Sequence, residues 1–370
     1  MNKREFLRVL GAAGLTLAFP PYRMVAGSSS SRKNWVWITT DFERSDNEWT
    51  STFAMIRKAG ISAILPEIYN GRNAFYKSRH LPVKDEWLER ILPLAHAAGL
   101  EVHAWMWSMP CNIESIVREH QDWYVVNRKG ESAAVKPAYV PYYKFLCPSH
   151  SGVRDFIKAT VTELSALNAL DGVHFDYIRF PDVILARGLQ PKYGIVQDRE
   201  YPEYDYCYCE VCKRDFRKEY GIDVSSLDDP TASKEWRQFR YDRITRLVNN
   251  DLIPIVHRHG KKATAAVFPN WQMVRQQWSQ WNLDAALPML YHGFYKKEIS
   301  WIGESVREEL KALHKPIPIY AGLFVPQLDP QNLAEAIDTA TGSGAAGVSL
   351  FALQSMTPGH WNQLSRTLQR

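Results

Sequence analysis

The feature that most constrains the fold is a regular alternation of strand-like and helix-like segments. Eight short runs rich in β-branched, aromatic or other apolar residues predict strands at 35–40, 61–69, 100–107, 172–178, 262–268, 284–291, 316–323 and 345–353. Helical spacing of apolar residues predicts helices at 48–60, 85–99, 149–170, 234–260, 271–281, 300–314, 330–341 and 358–370. Eight strands interleaved with helices in 370 residues predict an α/β protein with a single (β/α)8 barrel, a TIM barrel.

A doubly wound parallel sheet is the alternative that the same alternation allows. In its nucleotide-binding form that fold carries a glycine-rich phosphate loop after the first strand. Here the first strand runs into Asp41-Phe42-Glu43, which contains no glycine, so the barrel is preferred. The long stretch after the fourth strand predicts a loop insertion at about 182–233 that overhangs the active face.

Composition and charge exclude several classes of protein. With 45% hydrophobic and 23% charged residues, the chain is neither disordered nor a collagen or coiled coil. The net charge is +5, and residues 1–33 account for all of it, because they hold six basic residues and one acidic residue. The neutral remainder carries no net charge to attract a phosphate backbone, which argues against a nucleic-acid partner.

The basic N-terminus has the pattern of an export signal. Lys3, Arg4 and Arg8 lead into an apolar run at 9–19 that is too short to span a bilayer, and Pro20-Pro21 ends the run. The pattern resembles a twin-arginine leader with Lys3 in place of the first arginine; a general secretory signal is the alternative. We expect a signal at about 1–26, within an export signal and flexible joint at 1–33, followed by the barrel domain at 34–370. The mature protein is then periplasmic or extracellular and not attached to a membrane.

Residues that leave the strands are the candidates for a functional site, because (β/α)8 barrels place active sites at the C-terminal ends of their strands. The polar and aromatic residues in these positions are Asp41, Glu67, Tyr69, Trp105, Trp107, Asp176, Arg179, Asn270, Tyr291, His292, Phe324 and Gln354. Asp171 and Asp284 stand at strand beginnings, on the opposite face, and are expected to be structural.

The fourth strand carries the strongest motif, Asp-Gly-Val-His-Phe-Asp-Tyr-Ile-Arg-Phe-Pro at 171–181. Because side chains alternate along a strand, His174 and Asp176 share one face, with Phe175 and Tyr177 on the other. A nearby Arg179 would keep Asp176 ionised, which suits a nucleophile or an electrostatic stabiliser. An Asp176–Arg179 ion pair that only fixes the loop is the structural alternative.

This motif resembles the fourth-strand signature of the glycosyl hydrolase-like 10 family. Further matches follow in the family's order over about 34–355, at Asn73-Ala74-Phe75-Tyr76, at 99–105, at Cys147-Pro148 and in the helix at 236–248. The resemblance implies an exported barrel that is similar to glycoside hydrolases. It also implies a substrate among peptidoglycan glycan strands stripped of their peptides.

Glycoside hydrolysis normally uses two carboxyl groups. Asp176 is one, and Glu67 is the preferred second, because an apolar run precedes it and burial would raise its pKa toward that of a general acid. Glu67 as a substrate clamp, or in an ion pair with Arg72 or Lys77, is the alternative. Other acids that could serve as the donor lie in the long loop: Asp198, Glu200, Glu203, Asp205 and Glu210.

We therefore expect an exported glycoside hydrolase of a polysaccharide, with Asp176 and Glu67 as catalytic residues. The residues expected to bind the substrate are His174, Arg179, Tyr69, Trp105, Trp107, Asn270, Tyr291, His292 and Asp41. Aromatic rings among them would pack against the C–H faces of sugars. A barrel that binds glycan without cleaving it, as a scaffold or sensor, is the alternative, because no residue is unambiguous as the proton donor.

The spacing of the histidines and cysteines indicates whether the chain is expected to bind a metal ion. None of the 11 histidines has a paired ligand spacing, so we expect no catalytic metal and no cofactor. Three of the five cysteines fall together, Cys207, Cys209 and Cys212, and predict a structural staple of the 182–233 segment. Disulfides with Cys147 or Cys111 as outside partner are preferred; a structural zinc requires a fourth ligand.

Overall fold

The computed structural model describes residues 33–368 and confirms the (β/α)8 barrel. The predicted export signal at 1–26 lies outside the described residues. The strands are β1 (Trp35–Ile38), β2 (Ala63–Tyr69), β3 (Glu101–Trp107), β4 (Gly172–Asp176), β5 (Lys262–Val267), β6 (Ala285–Pro288), β7 (Tyr320–Phe324) and β8 (Gly347–Phe351).

The strands pair in parallel in the order β6-β5-β4-β3-β2-β1-β8-β7. Between β6 and β7, at the ends of this order, two parallel bridges join Ala286 to Ile319 and Met289 to Gly322. The sheet is therefore a nearly closed barrel, and all eight C-terminal strand ends meet at one rim.

The helices surround this barrel. They are α1 (Asp46–Lys58), α2 (Trp87–Ala97), α3 (Glu114–Glu119), α4 (Ser151–Ser165), α5 (Glu210–Tyr220), α6 (Lys234–Arg246), α7 (Ile253–Arg258), α8 (Ser300–Ala312), α9 (Pro330–Gly342) and α10 (Pro358–Thr367). A π-helical stretch, Leu247–Leu252, joins α6 to α7. Pro254, at the start of α7, has no N–H to continue the α-helical ladder.

The predicted helix at 271–281 is wrong. The structure has two 3₁₀ turns there, Trp271–Val274 and Trp278–Gln280. Arg275, between them, has a φ of 55°, in the left-handed region that ends a right-handed helix. Trp278 and Trp281 are nonetheless buried, which explains why the segment has the apolar content of a helix.

Large aromatic side chains fill the lower part of the barrel. Trp35 packs edge-on against His103, with ring centroids 4.8 Å apart, and Trp37 packs against His174 at 5.7 Å. All four side chains are at most 1% exposed. These rings therefore fill the barrel interior below the C-terminal rim.

The opposite rim is tied together by aspartates at strand beginnings, as predicted. Asp171 accepts hydrogen bonds from Val102 N at 2.8 Å and pairs with His96 Nε2 at 2.9 Å. Asp284 accepts from Ala263 N at 2.7 Å and pairs with His257 at 2.9 Å. These carboxylates cap the starts of neighbouring strands and therefore serve the fold.

Within residues 33–368, no helix combines the length and the apolar character needed to cross a bilayer.

Candidate active site

A cavity of about 350 Å³ opens at the C-terminal rim, within the size range of small-ligand sites. Each strand contributes a residue at or just beyond its end. The lining residues are Thr39, Glu67, Trp105, Trp107, Tyr143, Asp176, Tyr177, Arg179, Asp182, Leu185, Ala186, Leu189, Phe268, Met289, Tyr291, Phe294, Tyr295, Phe324 and Phe351. Asp176 and Glu67, two acids that form no ion pair with any residue of 33–368, thus lie in one largely aromatic hollow.

Asp176 is the last residue of β4 and is partly exposed to the cavity. Its Oδ2 accepts a hydrogen bond of 2.9 Å from Trp105 Nε1, and its Oδ1 accepts one of 2.6 Å from the backbone N–H of Tyr177. Both oxygens are therefore held in place by donors from the protein. Arg179 does not pair with Asp176, because its guanidinium is bound by Asp182 at 3.0 Å.

Tyr177 turns sharply after β4, with a φ of 50°. An aromatic residue is rarely found in this left-handed region, and such strain concentrates at functional sites. The turn breaks the strand's alternation. Phe175 packs in the core around the barrel as predicted, whereas Tyr177 lines the cavity and packs against Trp107, with ring centroids 4.6 Å apart.

Glu67 lies on β2, two strands away from Asp176, which corresponds to about 10 Å between the backbones. Its register partner on β3 is Trp105, the same residue that donates to Asp176. Glu67 is 9% exposed, and its side chain lines the cavity. The two carboxyl groups therefore face one hollow from opposite sides of the Trp105 strand.

Burial gives both carboxyl groups unusual acidities. It raises the pKa of Glu67 to about 7; the charge of Asp176 raises it further, and the indole of Trp107 opposes the shift. Burial raises the pKa of Asp176 to about 6, against the hydrogen bonds from Tyr177 and Trp105 and the charge of Arg179. Near pH 7 the pair therefore favours one ionised aspartate beside a glutamic acid that can still donate a proton.

Arg179 is 3% exposed and organises the loop that follows β4. Besides Asp182, its Nη1 donates to the carbonyl of Phe180 at 2.9 Å. Its guanidinium lies 4.6 Å from the ring centroid of Phe268 and 5.2 Å from that of Tyr177. Its roles are to hold these rings in the cavity wall and to add positive charge near Asp176.

Aromatic rings outside the predicted substrate-binding set form much of the wall; Phe324 was a candidate at a strand end, whereas Phe351, Phe294 and Tyr143 were missed. Phe324 and Phe351 end the adjacent strands β7 and β8 and stack with centroids 6.2 Å apart. Tyr291 packs against Phe324 at 5.3 Å and against Phe294 at 5.4 Å. The terminal positions of Phe324 and Phe351 were available as a signal, whereas Phe294 and Tyr143 lie in loops whose paths the sequence does not show.

Six predicted site residues line the cavity: Glu67, Trp105, Trp107, Asp176, Arg179 and Tyr291. Five do not: His174, Tyr69, Asn270, His292 and Asp41. His174 is fully buried one layer below Asp176, where its Nδ1 pairs with Thr264 Oγ1 at 2.9 Å. It shares the inward face as predicted, but Trp37 and its neighbours separate it from solvent.

Tyr69 points away from the cavity because of a register shift between β2 and β3. The shift lies between Glu67 and Tyr69, so the alternation fails there and Tyr69 packs with Ile68 in the core outside the barrel. Asp41 is instead tied to Arg44, whose Nε lies 3.2 Å from Asp41 Oδ2.

Asn270 and His292 lie beyond the strand ends. Asn270 Oδ1 accepts a hydrogen bond of 3.0 Å from the hydroxyl of Tyr295, which does line the cavity. Asn270 therefore contacts a residue of the cavity wall, Tyr295, without lining the cavity itself. His292 begins a short turn after β6 and is half-buried away from the cavity.

The first part of the connection after β4 reaches the cavity through Asp182, Leu185, Ala186 and Leu189. The five acids of that connection that were predicted as possible donors do not line it. Asp205 is fully buried in an ion pair with Arg240, and Glu200 pairs with Arg275 at 2.5 Å. These bonds occupy both carboxylates. Asp182, the third acid that lines the cavity, is bound by Arg179, so Glu67 is the acid left opposite Asp176.

A second hollow of about 700 Å³ shares Trp107 with the cavity. Its other lining residues include Arg72, Asn112 and Tyr142, from the connections that follow β2 and β3. The indole of Trp107 therefore borders both spaces, and the second hollow lies next to the cavity on the same rim.

Within residues 33–368, the one group of three or more convergent metal-ligand side chains lies outside the cavity. It comprises Cys147, Cys207, Cys209 and Cys212. The cavity itself is lined mainly by carboxyl and aromatic groups.

Comparison with known proteins places these observations in a family. A family model described as glycosyl hydrolase-like 10 matches residues 30–323. Among curated proteins, no sequence gives a significant match.

Several solved structures share the fold at low sequence identity. The PgaB (BpsB) glycoside hydrolase domain from Bordetella bronchiseptica is 13% identical with a TM-score of 0.71, and the match covers 91% of this chain and 98% of that one. The catalytic domain of β-amylase from Paenibacillus polymyxa is 10% identical with a TM-score of 0.64, covering 90% and 97%. The β-galactosidase from Marinomonas ef1 is 12% identical with a TM-score of 0.62, covering 91% of this chain and 59% of that one.

Proposed function

The chain belongs to the glycosyl hydrolase-like 10 family, and from this membership and its cavity we propose that it hydrolyses O-glycosidic bonds of a polysaccharide. In this proposal Asp176 is the nucleophile or electrostatic stabiliser and Glu67 is the general acid and base. The observation that carries it is the pair of carboxyl groups in one cavity, with pKa values of about 6 and about 7.

The proposed chemistry follows from the difference between the two acidities. Glu67, still protonated in part at neutral pH, donates its proton to the glycosidic oxygen as the bond from that oxygen to the anomeric carbon breaks. Ionised Asp176 faces the positive charge that develops on the sugar ring. Water then adds to the anomeric carbon and returns its proton to the Glu67 carboxylate, so that both groups regain their initial states.

The lining supports a carbohydrate substrate. Rings such as Tyr291, Phe324 and Phe351 offer apolar faces beside the polar edge formed by Asp176 and Glu67, which is how sugar rings are held. The hollow beyond Trp107 provides room for further residues of a polymer. The PgaB neighbour is itself described as a glycoside hydrolase domain, which supports the same class of reaction.

For the substrate we propose amino-sugar glycan strands of the peptidoglycan type without peptides, as the family resemblance implies. The pattern of residues 1–26 adds the proposal that the protein is exported and acts in the periplasm or outside the cell. Fractionation of cells that express the full chain, with N-terminal sequencing of the exported form, tests the second point. An unprocessed chain confined to the cytoplasm would contradict it.

The test of the reaction is the release of new reducing ends from amidase-treated peptidoglycan. We expect the wild-type protein to release them, and Asp176→Asn and Glu67→Gln to reduce the rate by about 10²- to 10⁴-fold, with unchanged circular dichroism. Asp338→Asn, on the exposed face of α9, is the matched control and should behave as the wild type. Binding of the glycan with no reducing ends from the wild type would instead favour the non-catalytic glycan-binding barrel.

A further inference from the structure

We propose that Cys147, Cys207, Cys209 and Cys212 bind one structural Zn²⁺ ion. The four sulfur atoms lie within 4.8 Å of one another, and all four residues are buried. This site is separate from the catalytic cavity, so the proposal does not depend on the proposed function.

The sulfur separations fit a tetrahedral metal centre. Zinc–sulfur bonds of about 2.3 Å in a tetrahedron place the sulfur atoms about 3.8 Å apart. Cys147 Sγ lies 3.6 Å from Cys209 Sγ and 3.5 Å from Cys212 Sγ. A disulfide requires about 2.05 Å, and one sulfur with two such neighbours cannot bond to both.

The protein encloses the cluster, as it does at structural zinc sites. Cys147, Cys207 and Cys212 are fully buried, and Cys209 is 7% exposed. All four coordination positions are then filled by protein sulfur, which leaves none for a substrate or water. The chemistry of four thiolates also selects a soft ion over Mg²⁺ or Ca²⁺.

Nearby donors offset the negative charge that four thiolates would carry. The backbone N–H of Val126 donates to Cys207 Sγ at 3.5 Å. The Cys212 thiol donates to Ser149 Oγ at 3.2 Å, and this hydroxyl could donate in return once the sulfur is a thiolate. Helix α5 begins directly after Cys209 and has Cys212 in its first turn, so the positive end of its dipole faces the cluster.

The ion would join two connections that are distant in sequence. Cys147 precedes α4, whereas the other three cysteines lie in the connection from β4 to β5. Backbone contacts with the stretch at 123–127 already bring these segments together: Asn127 bridges to Tyr206, and Tyr208 N donates to Val126 O at 2.7 Å. On the other side of the same stretch, Cys147 N donates to Trp123 O at 2.7 Å. The β4–β5 connection also supplies Asp182 and Leu185 to the cavity, so the zinc would anchor a segment that shapes it.

Cys111 provides a control within the same protein. It is fully buried, like the ligands, but it does not belong to the cluster. All five cysteines are free thiols in the structure, which departs from the disulfide preference that the sequence suggested. The odd number of cysteines is also explained, because four serve the ion and Cys111 stands apart.

The first test uses the wild-type protein, purified without metal-affinity resin. Elemental analysis should find about one zinc per chain, and thiol titration in denaturant with chelator should find all five thiols. Two disulfides among the four ligands would leave one thiol and no zinc, and that result would overturn the proposal. Stoichiometric iron in place of zinc would overturn the identity of the metal.

The second test compares Cys209→Ser with Cys111→Ser. The first should lose the zinc, and the second should retain it. If Cys209→Ser fails to fold, the same question is tested by treating the wild-type protein with a strong chelator. The chelator should lower the Tm, and Zn²⁺, but not Mg²⁺, should restore it. Zinc retained in Cys209→Ser, or a Tm that the chelator does not change, would contradict the proposal.

Discussion

Trp105 Nε1 donates a hydrogen bond of 2.9 Å to Asp176 Oδ2, from one strand to its neighbour across the floor of the cavity. The donor is fixed by its own packing, since Trp105 is 3% exposed and contacts the ring of Phe351 at 6.0 Å. The indole therefore holds the carboxylate in one orientation and favours its ionised form.

Trp105→Phe should remove this donor and leave most of the ring packing in place. A hydrogen bond to a charged group is worth about 1.5–3 kcal/mol, so we expect kcat/KM to fall about tenfold or more. The pKa of Asp176 should rise, which moves the acidic limb of the pH profile to higher pH. Trp271→Phe, outside the cavity, is the control; an acidic limb that shifts equally in both variants would contradict the role of Trp105.

The pH dependence of kcat/KM should be bell-shaped, with limbs near pH 6 and pH 7. Activity falls below the lower limb because Asp176 becomes protonated, and above the upper limb because Glu67 loses its proton. The two groups interact, so the limbs belong to the pair.

A glycoside with an activated aryl leaving group, which needs no protonation, separates the two roles. Glu67→Gln should cleave it at measurable rates and without the upper limb. An upper limb that persists in Glu67→Gln would show that another group is the acid.

Glu67→Gln should also be more stable than the wild type at pH 8. The pKa of Glu67 is raised from about 4.3 in the unfolded chain to about 7 in the folded protein. The wild type therefore loses about 4 kcal/mol of unfolding free energy as the pH rises through this interval, and the amide does not. Chemical denaturation at pH 4 and pH 8 measures the effect: the difference between the proteins should be small at pH 4 and large at pH 8. A constant difference would contradict the assigned acidity.

Glu309, on α8, is 7% exposed, and neither carboxyl oxygen has a hydrogen-bond partner among the described residues. Burial raises its pKa well above the usual range, with the charge of Glu308 adding to the shift. Glu309→Met should raise the free energy of unfolding by about 1–3 kcal/mol at pH 8. The gain should shrink toward pH 4, where the acid is protonated in both the folded and unfolded states. Glu308→Met, at the exposed neighbour, should change stability by less than about 0.5 kcal/mol.

The sequence predicted the barrel and much of the cavity because both follow from local periodicity. Eight strand-like runs interleaved with helical ones allow few folds, and the fold then says which strand ends meet. Asp176, Glu67, Trp105 and Trp107 reach the cavity by that reasoning. The prediction of a helix at 271–281 failed because apolar content cannot distinguish a helix from two buried turns.

Local departures from regular strand geometry explain why other residues do not lie where the sequence predicted them. The register shift on β2 turns Tyr69 away from the cavity, and the left-handed turn at Tyr177 brings that ring in. His174 lies on the predicted face but one layer too deep. Arg179 forms its ion pair with Asp182, three residues further along the chain, and not with Asp176, the partner that the sequence suggested.

The sequence by itself determined the fold, the rim that carries the site and the aspartate at the end of β4, since each depends on residues that are neighbours along one strand or helix. Only the tertiary structure decided that Glu67 faces Asp176, that Trp105 holds the aspartate, and that Cys147 joins Cys207, Cys209 and Cys212. Each of these is a contact between segments far apart in the chain. Their distances follow from how the strands and loops pack, which periodicity does not encode.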